Sequence, residues 1–245
     1  MFEKKMLMCE HEYRSMTPKV AQHYFEWFKE NIPNEVYLLQ LGMLEDPFAR
    51  KIPLDYSPES LKTLYEWYLT MRKYKKLSKK QILEDFADAP DYIIQEMLVN
   101  RYAPTVGIVD LATKLAIYSG EVFIHNDSDL YWDYVKKPKT DESYNMPVIF
   151  GFSPPEMKFQ ACFNTFSMCM PTYSSSAKGE KDKRTWFEWH QHWMDNKEMY
   201  YSPIYSHEAF GKIWRELLFG PNKAKDKSDF SPKAIFKKMK EMHEN

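Results

Sequence analysis

Residues 105–124, TVGIVDLATKLAIYSGEVFI, are apolar nearly all the way round a helix. A helix without a broad polar face has to be enclosed by others, so this stretch is the predicted centre of a multi-helix bundle. Its small residues Gly107, Ala112, Ala116, Ser119 and Gly120 allow neighbouring helices to approach closely. Its charged residues Asp110, Lys114 and Glu121 fall within roughly 40° of one another at about 100° per residue.

Charges on so apolar a helix must be paired or face a cleft, because burying them alone is costly. Two readings stay open. In one, Asp110 and Lys114 form an i,i+4 pair and a basic residue from a neighbour answers Glu121. In the other, the stripe lines a polar pocket where carboxylates do acid–base work on a small molecule, although no nucleophile accompanies them.

The starts of the surrounding helices are legible. Thr17-Pro18, Ser57-Pro58 and Ser231-Pro232 each place a hydroxyl N-cap before a proline at the first helical position. The missing proline N–H costs nothing there, and its fixed φ suits the helix. After Thr17, apolar residues recur at helical spacing until Ile32-Pro33, where the pattern stops; Val36–Leu44 then reads as a separate short helix. DPFARKIPLDY reads as an extended connection, and Leu61, Leu64, Tyr65, Tyr68 and Leu69 form the stripe of the next helix. Residues 79–87 and 90–99 are predicted as two more short helices, broken at Ala89-Pro90 and Ala103-Pro104.

Beyond residue 129 the character changes. LYWDYV (130–135) and MPVIFGF (146–152) are aromatic and β-branched, which predicts two strands, joined by a third around Phe159–Met168. PTYSSSAKGEKDKR (171–184) reads as an exposed loop, and helices resume at 184–197 and 206–219. The expected fold is mainly α (α+β): a bundle around the central apolar helix with a small antiparallel β-element in the second half. Residues 1–219 form one domain in this reading. Residues 220–245 are a linker and an amphipathic tail helix, with Ile235, Phe236, Met239 and Met242 on one side.

Seven glycines supply little material for a phosphate loop, and the phosphate-cradling, HExxH and GxSxG patterns are missing. Ser175-x-x-Lys178 has the spacing of serine acyl enzymes but falls in a loop, where the lysine is not held beside the serine. Cys9, Cys162 and Cys169 are too few and too oddly spaced for a disulfide framework. With no signal-peptide stretch and no run of membrane length, a cytoplasmic location is expected.

The densest set of possible metal ligands is Glu188, His190, His192 and Asp195. His190 and His192 sit about 200° apart on a helix and cannot share a metal. Glu188 with His192, or His192 with Asp195, would supply two ligands where a catalytic zinc usually takes three from the protein. No cofactor and no resident metal are expected; solvated histidines on a helix with buried tryptophans are the plainer account.

Residues 1–135 carry 16 basic and 21 acidic side chains, net −5, whereas residues 136–245 carry 18 and 14, net +4. An acidic front half disfavours nucleic acid and suits a basic protein partner. Lysines 223, 225, 227, 233, 237, 238 and 240 lack the arginines and aromatics of a base-reading surface, so they read as a solvated tail. Aromatics make up 16% of the chain, and Tyr and Trp serve both helical cores and protein interfaces. Tyr131, Trp132 and Tyr134 join Asp110, Lys114 and Glu121 as candidate binding residues, with further tyrosines near 200–205.

YWDYVKKPKTDESYNMPVIFGF, SGEVFIHND and LDYSPESLKTLYEWYL resemble a group of bacterial hypothetical proteins, mainly of low-GC Gram-positive species, over roughly residues 17–152. The resemblance implies a helical intracellular domain with a small β-element and no assigned activity. By analogy, small aromatic-rich proteins of this look serve as immunity partners of secreted toxins. The expectation is a non-enzymatic protein-binding module of the immunity type. The alternative is a small-molecule sensor or metal-dependent hydrolase using the central-helix stripe or the His190/His192 cluster.

Overall fold

A computed structural model describes residues 5–7, 10–85, 87, 91–154, 160–169, 185–201, 213 and 232–244. They form a mainly helical protein with two small antiparallel two-stranded sheets. The chain groups into two compact units. The first is Met1–Ile149 with Phe163–Trp189, and the second is Phe150–Cys162 with His190–Asn245. The tail helix falls in the second unit, so residue 219 is not where the units part.

In the first unit, α1 (Glu10–Ser15) leads into the long α2 (Pro18–Leu44). A 3-10 turn (Ala49–Lys51) and α3 (Pro58–Met71) follow. Two of the three hydroxyl-proline starts behave as the sequence predicts, and the cap residue of the third, Ser231, lies outside the described residues. Thr17 Oγ1 accepts from Val20 N at 3.4 Å, and Ser57 Oγ accepts from Ser60 N at 3.3 Å. The expected break at Pro33 does not occur, because α2 passes through it. Ile32, Leu39 and Met43 are all buried, so packing on both sides of the proline holds one helix despite the lost backbone hydrogen bond.

Next come β1 (Tyr74–Lys76), α4 (Lys79–Asp85), α5 (Asp91–Asn100) and β2 (Tyr102–Pro104). The two helices match expectation; the sheet between their ends does not follow from the sequence. β1 pairs antiparallel with β2, Lys75 opposite Ala103, and Arg101 turns the chain into it at φ 53°. Leu77, Ile82, Met97 and Ala103 close a small core of their own beneath this sheet.

The apolar stretch forms α6 (Val106–Asn126) and packs against α2 and α3. Eleven of its residues are buried, including every position from Leu115 to Gly120, as expected of a central helix. β3 (Tyr131–Tyr134) pairs with β4 (Pro147–Phe150), giving the expected small β-element. The third strand is corrected. Phe163 makes one antiparallel bridge to Ile149, and Thr165–Cys169 is a short helix, α7, on α6. Phe166 and Cys169 face the core from it, a helical spacing that a strand would not have served.

Helix α8 (Trp186–Tyr201) starts in the first unit, where the buried Trp186 lies on Tyr65 and Tyr68 at 5.3 and 5.1 Å between ring centroids. In the second unit Phe152 packs on Trp193 at 4.8 Å, and Ser153 Oγ accepts from Ala161 N at 2.8 Å. α9 (Pro232–Glu244) buries Ile235 and Met239 and exposes Lys237 and Lys240, as its amphipathic pattern predicts. The loop at 171–184, Ser175, Lys178, Cys9, the linker at 220–229 and most of 206–219 lie outside the described residues. No described helix is long and apolar enough to cross a membrane.

Candidate functional site

The charged stripe of α6 divides into two groups. Lys114 is gripped by Asp110 one turn back, and its Nζ lies 3.8 Å from Glu35 of α2. Asp110 is exposed, whereas Lys114 and Glu35 are mostly covered. Burial pushes the Glu35 carboxyl above its ordinary value, Lys114 pulls it back, and Asp110 adds to the rise. This arrangement neutralises a carboxylate at a helix–helix contact, which is the structural role of an i,i+4 pair extended by one neighbour.

Glu121 belongs to the second group, and it is answered by an indole rather than by a basic residue. Trp132 Nε1 donates to Glu121 Oε1 at 2.8 Å. The ring of Trp132 lies over Gly120, is buried, and meets Phe28 of α2 edge-on at 5.3 Å. Two candidate binding residues, Glu121 and Trp132, are thereby spent on fixing β3 to α6. Tyr134 packs on Phe25 at 5.2 Å between ring centroids, and Lys136 Nζ lies 4.8 Å from the centre of its ring. Of Tyr131, Trp132 and Tyr134 only Tyr131 is exposed, and the tyrosines near 200–205 are not among the residues whose side chains are described.

Beside Glu121, Tyr56 holds a left-handed backbone at φ 59°. Its N–H donates to Tyr118 Oη at 3.1 Å, its carbonyl accepts from Asn126 Nδ2 at 2.7 Å, and its ring stacks on His125 at 4.0 Å. Burial raises the Tyr56 phenol, and the negative charge of Glu121 raises it further. Three contacts thus over-determine one strained residue, which locks the loop ahead of α3 onto the end of α6.

The histidine cluster on α8 does not assemble a metal centre. Glu188 closes a capping box: its Oε2 accepts from Thr185 N at 2.6 Å, and Thr185 Oγ1 accepts from Glu188 N at 3.2 Å. His190 is buried, the His192 carbonyl accepts from Asn196 Nδ2, and Asp195 is exposed. Among the described residues no group of three or more His, Cys, Asp or Glu side chains converges on a common point. Cys169 is buried beside Ser119 at 3.8 Å, and burial pushes its thiol far up, which makes it inert packing.

The feature that stands apart is the outward side of α2. Its inner side buries Phe25, Phe28, Ile32, Leu39 and Met43. Opposite them, Tyr37 is 56% exposed, Leu38 40%, Leu41 40% and Leu44 57%, and Phe48 beyond the helix is 51% exposed. At about 100° per residue Tyr37, Leu41 and Leu44 lie within about 60° of one another, with Leu38 beside them. A surface helix normally presents charge there, so four large apolar side chains in two turns are an unpaired face. The signal was in the sequence: VYLLQLGML is apolar on both sides of a helix, one side more than a core contact needs.

Two contacts fix the direction of α2 relative to α6. Phe28 reaches Gly120 through Trp132, and Glu35 reaches Lys114, so α2 and α6 run antiparallel. The Leu38–Leu44 end of α2 is therefore level with the start of α6, where Val106 is 82% exposed. Comparison with protein-family models, curated proteins and solved structures finds no match.

Proposed function

We propose that this protein is a non-enzymatic binding module that seats another protein on the outward face of α2. One observation carries the reading: Tyr37, Leu38, Leu41 and Leu44 form a contiguous apolar patch on the solvent side of a helix whose inner side is fully engaged. Apolar surface of this kind, rimmed by polar residues, marks a contact site. Aromatic and leucine anchors in two turns suit capture of a partner surface rather than turnover of a small molecule.

The module is of the immunity type: it covers the working surface of a toxin and acts in the cytoplasm, where Cys162 and Cys169 remain free thiols. The roles of Asp110, Lys114, Glu121 and Trp132 are internal in this reading, and Tyr131 lies outside the contact.

The test is affinity capture from extracts of the producing cells with the chain and with Leu41→Asp, followed by mass spectrometry. A stoichiometric protein held by the first and lost by the second supports the reading. A partner held equally by both removes this face from the function. A partner-free chain whose melting temperature rises with metals or metabolites would replace the module with a small-molecule sensor.

A further inference from the structure

The outward face of α2 carries a charge pattern as well as an apolar one. From Glu30 to Phe48 the chain has four acidic residues, Glu30, Glu35, Glu45 and Asp46, and no basic one. Two of the four are engaged internally. Glu35 faces Lys114, and Asp46 accepts from the N–H groups of Phe48, Ala49 and Trp67. Glu30 and Glu45 are exposed. At about 100° per residue they project within about 20° and 40° of Leu41, one on each side of the apolar patch and about 22 Å apart along the axis. The nearest bases along the chain do not neutralise this line. Lys29 lies round the flank over the Phe25 ring at 5.0 Å, and Arg50 lies past the helix in the 3-10 turn.

Gly42 adds shape to the charge. It is exposed, and nothing lies within 4 Å of a Cβ placed on it. It lies in the last turn of α2, where it leaves a notch in the row of Leu38 and Glu45. Rows of side chains three and four apart, interrupted by a notch, are what a second helix packs into.

Resting on the reading that this face binds a protein, we propose that its occupant is a basic amphipathic helix of another protein. Its apolar stripe lies over Tyr37, Leu41 and Leu44, one large side chain enters the notch at Gly42, and a lysine or arginine near each end meets Glu30 and Glu45. The same carboxylates argue against the other occupants. A second copy packed face to face would bring further exposed carboxylates and no base from residues 30–48 to answer them, an anionic membrane would be repelled, and so would nucleic acid.

The test is selection of a displayed library of amphipathic helical peptides, with randomised charge at the flanking positions, on the full-length chain. Selected peptides are expected to carry Lys or Arg at both ends. Their affinity is expected to fall about tenfold in Glu30→Lys/Glu45→Lys and to vanish in Leu41→Asp, with Leu44→Asp as a second variant should the first misfold. Binders that depend on Leu41 but are neutral or acidic overturn the basic-helix assignment and leave the binding-module reading intact. Failure to select any Leu41-dependent peptide overturns the assignment. So does self-association in sedimentation velocity that Leu41→Asp abolishes, or co-sedimentation of the chain with phosphatidylserine vesicles.

Discussion

The indole of Trp132 occupies the space that a Cβ on Gly120 would need; such an atom would stand 2.6 Å from Cη2 and nearer still to Cζ2. The glycine is therefore the price of burying a tryptophan between α6, β3 and Phe28. Alanine at this position would gain about 1 kcal/mol of helix propensity but lose about 1–3 kcal/mol to overpacking. Gly120→Ala should lower stability, and the loss should shrink in a Trp132→Phe background, where the smaller ring leaves room. Denaturation of the four variants gives the coupling; additive effects would show that the contact is not the constraint.

Asn145 also has a left-handed backbone, at φ 63°, and is buried. Its Nδ2 donates to the carbonyl of Tyr13 at 2.9 Å and of Met16 at 3.4 Å, tying the α1 end to the connection between β3 and β4. Asn145→Gly keeps the backbone and loses the donor, costing about 1 kcal/mol. Asn145→Asp points an acceptor at two carbonyls and should cost about 2–4 kcal/mol. Thermal melts that rank the two alike would contradict this account.

Backbone N–H groups of Ala49 and Phe48 hold the Asp46 carboxyl below its ordinary value. A depressed carboxyl contributes stability above its unfolded value near 3.8, and the contribution is lost as pH falls from there through the folded value. Asp46→Asn should flatten that acid limb of the stability curve, measured by urea unfolding between pH 5 and pH 2, about the span of an aspartate titration.

Glu35 has the opposite sign. Burial raises its carboxyl, so the stability it contributes is complete below the unfolded value near 4.5 and is lost as pH rises through the folded value. Removing the opposing cation in Lys114→Met should carry this loss to higher pH, and adding Glu35→Gln should abolish it. A pH–stability curve of Lys114→Met that superimposes on the wild type would show that the ion contact is solvent-screened.

Within one helix, neighbouring leucines should behave oppositely. Leu39 is 1% exposed and Leu41 is 40% exposed. Leu39→Ala is expected to cost about 2–5 kcal/mol, whereas Leu41→Ser should stay within about 0.5 kcal/mol of wild type. A large cost for Leu41→Ser would mean that the face is already covered.

What the sequence disclosed and what it withheld follow from locality. Hydroxyl-proline caps act over three residues, so the starts at Thr17 and Ser57 are legible, and the all-round apolar pattern of 105–124 marks the centre without reference to any partner. The β1–β2 pair joins residues 26 to 30 positions apart through strands that read YKK and YAP. Neither alternates, and their pairing is set by where α4 and α5 return the chain. Glu121 shows the same limit at the site. Its need for a partner could be read from the apolar helix around it, but the choice of Trp132 over a lysine depends on how β3 lands on Gly120. The α2 face was hidden by the assumption that Pro33 ends a helix, which divided one two-sided segment into two ordinary ones.

That proline has a mechanical consequence. It supplies no amide, so the carbonyl of Lys29 loses its usual helical donor and the rod from Thr17 to Glu45 has one missing rung. The gap is splinted by side chains on both sides of it: Phe25 and Phe28 hold the first half, and Leu39, Met43 and the Glu35–Lys114 contact hold the second. A partner that docks on Leu41 and Leu44 therefore meets a surface whose shape is set before it arrives, and little ordering of α2 has to be done on binding.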